Sequence, residues 1–327
     1  MAPPATLVRT ARCLWTWQWL QLMNGLGPAD RDGNYLRPAP AFAELPPIPA
    51  DALTADAHVL IVGRSCPWAH RAWLVWTLRQ LAPAIGLVVV EPDPAAGRWC
   101  FNEPFEGCRT LAELYRRSGA DPAARATVPA LYSRSQGRIV LNESARLIEW
   151  LNRWPQPPTA APLDLEPQGQ QEAIQQWRDA LQHNVNDGVY RCGFARNQGA
   201  YERAEAALFT TLRQADAALT RRPDAWLSGP ALSLADVVLF PTLIRLELVY
   251  APLFGCSRVP LWQLDGLWRW RQRFYALEGV ATSCWPEAWQ RDYFGALFPL
   301  NPGGIVRAGP PLATLVQGRP ERAPERA

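Results

Sequence analysis

The sequence predicts two successive domains, an α/β domain followed by an all-helical domain. Short apolar, largely β-branched runs predict four strands, which are HVLIVG (58–63), GLVVVEP (86–92), VPALYS (128–133) and GRIVLN (137–142). Stretches of helical length lie between and after these runs, and from about residue 170 to residue 290 the pattern is helical throughout. A change from alternating strands and helices to helices alone indicates two domains.

The order of the elements defines the first domain more closely. Helices are predicted over 67–81, 110–119 and 143–154, and Pro67 stands at the first helical position of the first one. The resulting order is β-α-β-α-β-β-α. Its strand–helix–strand unit implies a parallel pair with a right-handed crossover, and its last two strands form a hairpin. This is the thioredoxin-like order.

Composition shifts and proline-rich stretches give the predicted boundaries. They are an N-terminal extension (1–55), the thioredoxin-like domain (56–154), a linker (155–169), the all-α domain (170–298) and a C-terminal tail (299–327). Within the all-α domain, Ser233 and Asp236 have the spacing of a helix capping box. We therefore assign both residues a role in the fold and none in chemistry.

The composition excludes several classes of partner. The 327 residues are 48% hydrophobic and 19% charged, which is typical of a globular protein rather than a disordered one. The net charge is only +3 and the basic residues are scattered, so no nucleic-acid partner is expected. The sequence predicts no apolar run of the roughly 18 to 20 residues that a membrane span needs, so no membrane partner is expected.

The first 25 residues contain arginines and no acidic residue, which leaves an organelle-targeting role open. This segment lacks serine, and no small-residue cleavage site follows it. It also contains Trp15, Trp17 and Trp19. These features favour a segment that packs onto the body of the protein.

Seven cysteines are present, an odd number, without any C-x-x-C pair and with only three histidines in the chain. A disulfide scaffold would be denser in cysteine, and a zinc site would need closer ligands. We expect a reducing compartment, the cytoplasm, with mostly buried thiols and no metal.

Cys66 is the strongest candidate for chemistry. It precedes Pro67 at the start of the helix that follows the first strand, where unpaired N–H groups and the helix dipole favour an anion. These effects predict a lowered pKa, and His70 and Arg71 are expected to add positive potential. The alternative is a buried cysteine beside a helix cap.

The residue at position 69 indicates how Cys66 would be recycled. It is alanine, where a C-x-x-C oxidoreductase carries its second, resolving cysteine. A mixed disulfide on Cys66 must then be reduced by an external thiol, most simply glutathione.

Two further segments suit a glutathione site. In thioredoxin-like folds the bond that corresponds to Val128-Pro129 is cis, and it presents the Val128 backbone to a peptide-like ligand. At the start of the next helix, Ser144 and nearby N–H groups can hold a carboxylate, and Glu143 can hold an ammonium group. Ordinary helix capping by Glu143 and Ser144 is the alternative.

Several blocks of the sequence resemble the glutathionyl-hydroquinone reductases, the Xi class of glutathione transferases. In chain order they are SCPWAHR, TVPALY…IVLNES, NDGVYRCGFA (186–195), LADVVLFPTLIRLELVY…FGC and DYFGALFPLNPGGIV (292–306). The resemblance implies a glutathione-binding thioredoxin-like domain, an all-helical glutathione-transferase domain and a homodimer. It also implies removal of glutathione from aromatic conjugates, in which Cys66 attacks the substrate sulfur and a second glutathione releases it.

The same resemblance assigns residues by position. Glutathione contacts are implied for Trp99, Arg125, Val128, Glu143 and Ser144. Tyr190 and Tyr293 are implied to face the quinone ring and to act in catalysis with Cys66, and Tyr250 is a further candidate. Pro67 and Pro129 are implied to support the fold. The family commonly has a histidine and a lysine in the stretch where this chain reads VYAPLFGCS (249–257), and both are missing here.

Two other functions remain open from the sequence. The same fold could serve another thiol transfer, such as reduction of dehydroascorbate or of protein–glutathione mixed disulfides. The tryptophan-rich composition and the long termini also suit a non-catalytic, ligand-binding protein of this fold.

Overall fold

The N-terminal half of the chain forms a mixed β-sheet flanked by helices. The computed structural model describes residues 4–48, 57–93 and 97–317, so the predicted boundary at residue 55 and the end of the tail lie outside the described residues. The strands are β1 (His58–Gly63), β2 (Ile85–Asp93), β3 (Arg98–Phe105), β4 (Cys108–Thr110), β5 (Ala130–Ser133) and β6 (Arg138–Leu141). In the described ranges the sheet has the order β4-β3-β2-β1-β5-β6.

The pairing of the strands is that of a thioredoxin-like domain. β1 and β2 are parallel, with a helix between them, and β5 pairs antiparallel with both β1 and β6. β3 and β4 extend the other edge and were not predicted. Arg98–Phe105 reads RWCFNEPF, in which apolar and polar residues do not alternate regularly, and Asn102, Glu103 and Pro104 have low strand propensity.

Helices cover both faces of the sheet and continue into the second half. In chain order they are α1 (Ala5–Leu26), α2 (Pro67–Leu78), α3 (Leu111–Arg117), α4 (Ser144–Arg153), α5 (Gln171–Leu181), α6 (Gly188–Gly193), α7 (Gln198–Arg221), α8 (Leu234–Leu243), α9 (Ala251–Phe254), α10 (Asp265–Tyr275), α11 (Pro286–Ala296) and α12 (Leu312–Val316). The prediction of an all-helical second half is confirmed. α2 ends before the predicted residue 81, since Gln80 has a φ of +53°, outside the helical region.

Two π-helical segments interrupt the second half, Gln182–Asn186 before α6 and Leu246–Tyr250 before α9. Such segments are rare and often occur at functional sites, because they change the direction in which side chains leave a helix. Here the first segment leads into α6, which carries Tyr190, and the second ends at Tyr250.

The start of α8 contains the capping box. The Asp236 carboxylate accepts hydrogen bonds from the backbone N–H of Ser233 (3.1 Å) and from its hydroxyl (2.8 Å). It also accepts from Leu227 N (2.9 Å) and from Trp270 Nε1 (2.8 Å). Asp236 is wholly buried, so one carboxylate ties the start of α8 to the preceding loop and to α10.

The prediction that no apolar run reaches the length of a membrane span is wrong. Leu234–Phe254 is 21 residues long with a mean hydropathy of 1.7, which is long and apolar enough to cross a bilayer. In the folded chain 78% of its most apolar window is buried. The segment is therefore the core of the helical domain, and its apolar character reflects helices packed on every side.

The N-terminal segment also differs from its prediction. It forms the long helix α1, and Trp15 and Trp17 are 43% and 64% exposed, so the expectation that all three tryptophans pack onto the body is wrong. Only the C-terminal turns of α1 pack, through buried Met23 and through Trp19, whose Nε1 donates to Pro299 O (3.1 Å). Apolar residues lie all around this helix, so their pattern does not define a buried face.

Candidate active site

A cavity of about 320 Å³ lies between the sheet domain and the helical domain. The residues that the sequence singled out for catalysis or glutathione binding all line it, and they are Cys66, Trp99, Arg125, Val128, Glu143, Ser144, Tyr190 and Tyr293. Pro67 and Pro129 line it as well. The structure thus brings these residues together, and their individual roles stay predictions.

Cys66 lies half-buried at the start of α2. It is the N-cap residue, followed by Pro67 at the first helical position, and the backbone N–H groups of Trp68 and Ala69 are directed at its sulfur. The thiol donates to the carbonyl oxygen of Val128, 3.3 Å away. The Val128–Pro129 peptide bond is cis, as expected. The thiol therefore faces the backbone edge that would pair with a peptide-like ligand.

The pKa of Cys66 does not follow the prediction. Burial raises the pKa of the thiol above its ordinary value of 9.0, although the N–H groups of Ala69 and Trp68 and the charges of Arg245 and Arg37 act in the opposite direction. Desolvation of the anion outweighs the effect of the helix start. The prediction of a Cys66 thiolate at neutral pH is therefore wrong.

His70 does not supply positive potential either. Its Nδ1 lies 2.9 Å from a guanidinium nitrogen of Arg245, which can only donate, so Nδ1 accepts and the proton is on Nε2. Nε2 then donates to the Ser283 hydroxyl, 2.9 Å away. Burial, together with the charge of Arg245, holds the pKa of His70 well below its usual value. The ring is neutral and buried.

Arg71 is charged, but its guanidinium contacts Ser144 and Gln182 on the side of the cavity formed by the start of α4. Its guanidinium is buried and donates to the Ser144 hydroxyl (2.5 Å) and to Gln182 Oε1 (3.0 Å). Burial lowers the pKa of Arg71 to about 10, which still leaves it protonated at neutral pH. Since Ser144 accepts from Arg71, its own O–H is free to donate into the cavity.

Glu143 and Ser144 begin α4. Glu143 is the N-cap residue, and its carboxylate accepts from the backbone N–H of Arg146 (2.8 Å). Ordinary capping and ligand binding are compatible here, because a carboxylate has further acceptor positions.

Trp99 and Arg125 form part of the cavity wall. The Trp99 ring packs so closely on Gly63 that a Cβ at that glycine would lie 2.5 Å from it, so a glycine is needed at the end of β1. Arg125 is exposed, and its guanidinium donates to Leu26 O (3.1 Å) at the end of α1.

Three tyrosines form a connected group on the helical side. The hydroxyls of Tyr190 and Tyr293 are 2.5 Å apart, and those of Tyr250 and Tyr293 are 3.3 Å apart. Burial raises the pKa of all three phenols, so each keeps its proton at neutral pH. Tyr250 is fully buried behind the cavity lining, where it orients Tyr293.

The N-terminal extension supplies wall residues that the sequence did not reveal. Tyr35 and Arg37 line the cavity, and the Arg37 guanidinium lies 3.6 Å from the centre of the Trp68 ring. Arg37 also pairs with Asp187 (3.0 Å). These residues lie in an irregular segment without periodicity, so no pattern could have marked them.

The raised pKa of Cys66 predicts how the reactivity of its thiol depends on pH. We expect the rate of Cys66 alkylation by iodoacetamide to rise about tenfold per pH unit from pH 6 to pH 8, because the thiolate fraction does so below the pKa. Peptide mapping by mass spectrometry at each pH measures the rate. A plateau that begins below pH 7 would contradict the raised pKa.

A thioredoxin-like domain followed by an all-helical domain is the architecture of the glutathione transferases, and in this chain a lone cysteine begins the first helix of the sheet domain. The glutathione S-transferase N-terminal domain family matches residues 65–154, and its C-terminal domain family matches residues 198–273.

Two relatives indicate which group of glutathione transferases this chain resembles. The chain is 31% identical to the glutathionyl-hydroquinone reductase YqjG of Escherichia coli K12, over 78% of this chain and 80% of that protein. It is 32% identical to the glutathionyl-hydroquinone reductase PcpF of Sphingobium chlorophenolicum, over 77% of this chain and 82% of that protein.

Solved structures support the same family assignment. The Xi glutathione S-transferase of Phanerochaete chrysosporium superimposes with a TM-score of 0.82 at 30% identity, over 89% of this chain and 96% of that chain. Glutathione-bound YqjG of Escherichia coli superimposes with a TM-score of 0.74 at 30% identity, over 82% of this chain and 89% of that chain. The chain therefore belongs to the glutathionyl-hydroquinone reductase family, the Xi class of glutathione transferases.

Proposed function

We propose that this protein is a glutathione-dependent reductase that removes glutathione from glutathionyl-hydroquinones through a temporary Cys66–glutathione disulfide. One observation carries the proposal. A single cavity contains a lone thiol, the backbone of Val128 next to it, and the Tyr190–Tyr293 pair. The names of the relatives YqjG and PcpF support the same reaction.

Glutathione would bind along the sheet side of the cavity. The Val128 backbone would pair with the cysteinyl part, while the γ-glutamyl carboxylate would accept from Ser144 and its ammonium would donate to Glu143. Trp99 and Arg125 would cover the remainder. A ligand N–H that donates to Val128 O would compete with the Cys66 thiol for this acceptor.

In the first step the Cys66 thiolate attacks the sulfur of the glutathionyl group. The new S–S bond joins Cys66 to glutathione, and the C–S bond breaks with its electron pair going to the ring carbon. That carbon takes up a proton, and free hydroquinone leaves. Tyr293 and Tyr190 are protonated and lie on the ring side, so they are suited to donate hydrogen bonds to a ring oxygen and to supply the proton.

In the second step a second glutathione, as thiolate, attacks the mixed disulfide. Glutathione disulfide leaves and Cys66 returns as thiolate. Two glutathione sulfurs are oxidised in total, and the aromatic carbon gains the electron pair. An external thiol is needed because residue 69 is alanine.

The raised pKa of Cys66 is compatible with this chemistry. Burial raises the pKa of the Cys66 thiol, so only a small fraction of it is thiolate at neutral pH. A thiolate of higher pKa is the stronger nucleophile, which offsets part of this loss. Binding of glutathione at Val128 would offset more, since it removes the acceptor for the thiol proton.

We further propose a cytoplasmic homodimer. Free glutathione is needed in both binding and release, and reducing compartments provide it. Light scattering coupled to size exclusion measures the mass, and a value near 36.5 kDa would contradict the dimer.

The reaction is tested with glutathionyl-menadiol and glutathione. We expect one hydroquinone and one glutathione disulfide per conjugate consumed, measured by chromatography. Tyr293→Phe should slow this turnover about tenfold to a hundredfold, since it removes the hydroxyl that supplies the proton.

The same assay includes dehydroascorbate and a glutathionylated peptide as competing substrates. Faster turnover of either one than of the conjugate would assign another thiol transfer to this site. No turnover of any of them would favour a ligand-binding protein.

A further inference from the structure

Arg245 is a fully buried arginine between α8 and the π-helical segment that ends at Tyr250. Its guanidinium donates to His70 Nδ1 (2.9 Å), to Pro241 O (2.9 Å) and to Arg64 O (3.3 Å). It also lies 4.1 Å from the centre of the Trp289 ring. All of these partners are neutral.

The two other fully buried arginines have carboxylates nearby. Arg271 pairs with Glu247 at 2.8 Å, and the charges of Glu143 and Asp187 act on Arg71. Within residues 4–48, 57–93 and 97–317, Arg245 forms no ion pair. A buried charge without a counter-charge is costly, so its presence calls for an explanation.

The contacts of Arg245 bracket Cys66 in sequence. Arg64 O lies two residues before the cysteine, and the His70 ring lies four residues after it, in the first turn of α2. Trp289, which stacks on the guanidinium, donates from Nε1 to the same Arg64 O (3.0 Å). One guanidinium therefore holds both sides of the turn that presents the thiol.

We infer that Arg245 is a positioning residue for the thiol chemistry. It fixes the turn that carries Cys66, and its positive charge, which no carboxylate neutralises, stabilises the Cys66 thiolate when the thiol loses its proton. This inference rests on the proposed function. The charge of Arg245 acts to lower the pKa of Cys66, Tyr250 and Tyr293, which agrees with such a role.

Other titratable groups around the thiol do not provide the same charge. From the elements packed around it they are Arg37, His70, Arg71, Arg125, Glu143, Tyr190, Tyr250, Asp292 and Tyr293. The charges of Glu143 and Asp187 act on Arg71, and Arg125 is exposed, where water and salt screen its charge. The tyrosines and His70 are neutral. Arg37 is paired with Asp187, and Asp292 with Arg291 (2.8 Å), so both charges are compensated.

The test compares the pH profile of Cys66 alkylation in the full chain with that of three variants. Arg245→Met removes the charge, Arg245→Lys keeps it, and Arg271→Met is a matched control that removes a buried arginine paired elsewhere. We expect Arg245→Met to shift the profile by about one pH unit upward, so that alkylation at pH 7.5 is about tenfold slower. The profiles of Arg245→Lys and Arg271→Met should stay within about 0.3 units of wild type.

An unshifted profile in folded Arg245→Met would overturn the inference, and so would an equal shift in Arg271→Met. If Arg245→Met does not fold, a full-unit shift in Arg245→Lys overturns it instead, since the charge is retained there. Alkylation needs no hydroquinone. A wild-type protein that fails to reduce glutathionyl-menadiol would therefore disprove the proposed function without deciding this result.

Discussion

Replacing Cys66 with serine is expected to lower turnover of glutathionyl-menadiol by at least about 1000-fold. A serine hydroxyl is far less nucleophilic toward sulfur, and no second thiol stands at position 69 to replace it. Steady-state release of hydroquinone, measured with saturating glutathione, gives the effect. It should appear in kcat, because the glutathione contacts proposed for Val128, Glu143 and Ser144 do not involve the Cys66 side chain.

The covalent step is separated from binding in a single turnover. Wild-type protein mixed with the conjugate and no free glutathione should gain the mass of one glutathione, and Cys66→Ser should gain none. Cys13→Ser is the matched control, because Cys13 is exposed on α1 outside the cavity. Its adduct and its turnover should equal those of wild type. Turnover of Cys66→Ser within tenfold of wild type would remove the disulfide from the mechanism.

Much of the sheet domain could be predicted because its signals are local. β1 (His58–Gly63) is a continuous apolar run ended by a glycine, and Pro67 and Thr110 mark helix starts through their own chemistry. Strand β3 was missed because its apolar and polar residues do not alternate and its sequence contains Asn102, Glu103 and Pro104, which have low strand propensity.

The cavity was predictable where its residues stand in motifs. Cys66, Val128, Glu143 and Ser144 are each fixed by a helix start or a cis proline, so their convergence follows from the thioredoxin-like order. Arg37 could not be found in this way, because an irregular segment folds back through contacts remote in sequence.

The ionisation of Cys66 was predicted with the wrong sign for a physical reason. Position at a helix start is visible in a sequence, but desolvation depends on what covers the sulfur. Tyr190 and the N-terminal extension close the site, and this burial outweighs two directed N–H groups. The charge that Arg245 places near Cys66 could not be predicted from the sequence either. Its neighbours come from three segments that are far apart in the chain, which contain Arg64 and His70, Pro241, and Trp289.

Replacing Asp236 with alanine is expected to lower the free energy of unfolding by about 4 kcal/mol. The carboxylate is fully buried and accepts from Leu227 N, Ser233 N, the Ser233 hydroxyl and Trp270 Nε1. Its loss leaves several buried donors without an acceptor, and each such donor costs about 1–3 kcal/mol. Equilibrium unfolding in urea, followed by tryptophan fluorescence, measures the change.

The matched control is Asp179→Ala, which removes an exposed carboxylate on α5 that accepts from Gln175 (2.8 Å). Its effect should stay within about 0.5 kcal/mol, because an exposed group exchanges its partner for water. Asp236→Asn keeps one carbonyl acceptor, so its loss in free energy of unfolding should lie between those of Asp236→Ala and Asp179→Ala. A loss below about 1 kcal/mol in Asp236→Ala would show that the capping box does not hold α8 to α10. Because Asp236 lies outside the cavity lining, the alanine variant should still form the Cys66 adduct under conditions in which it remains folded.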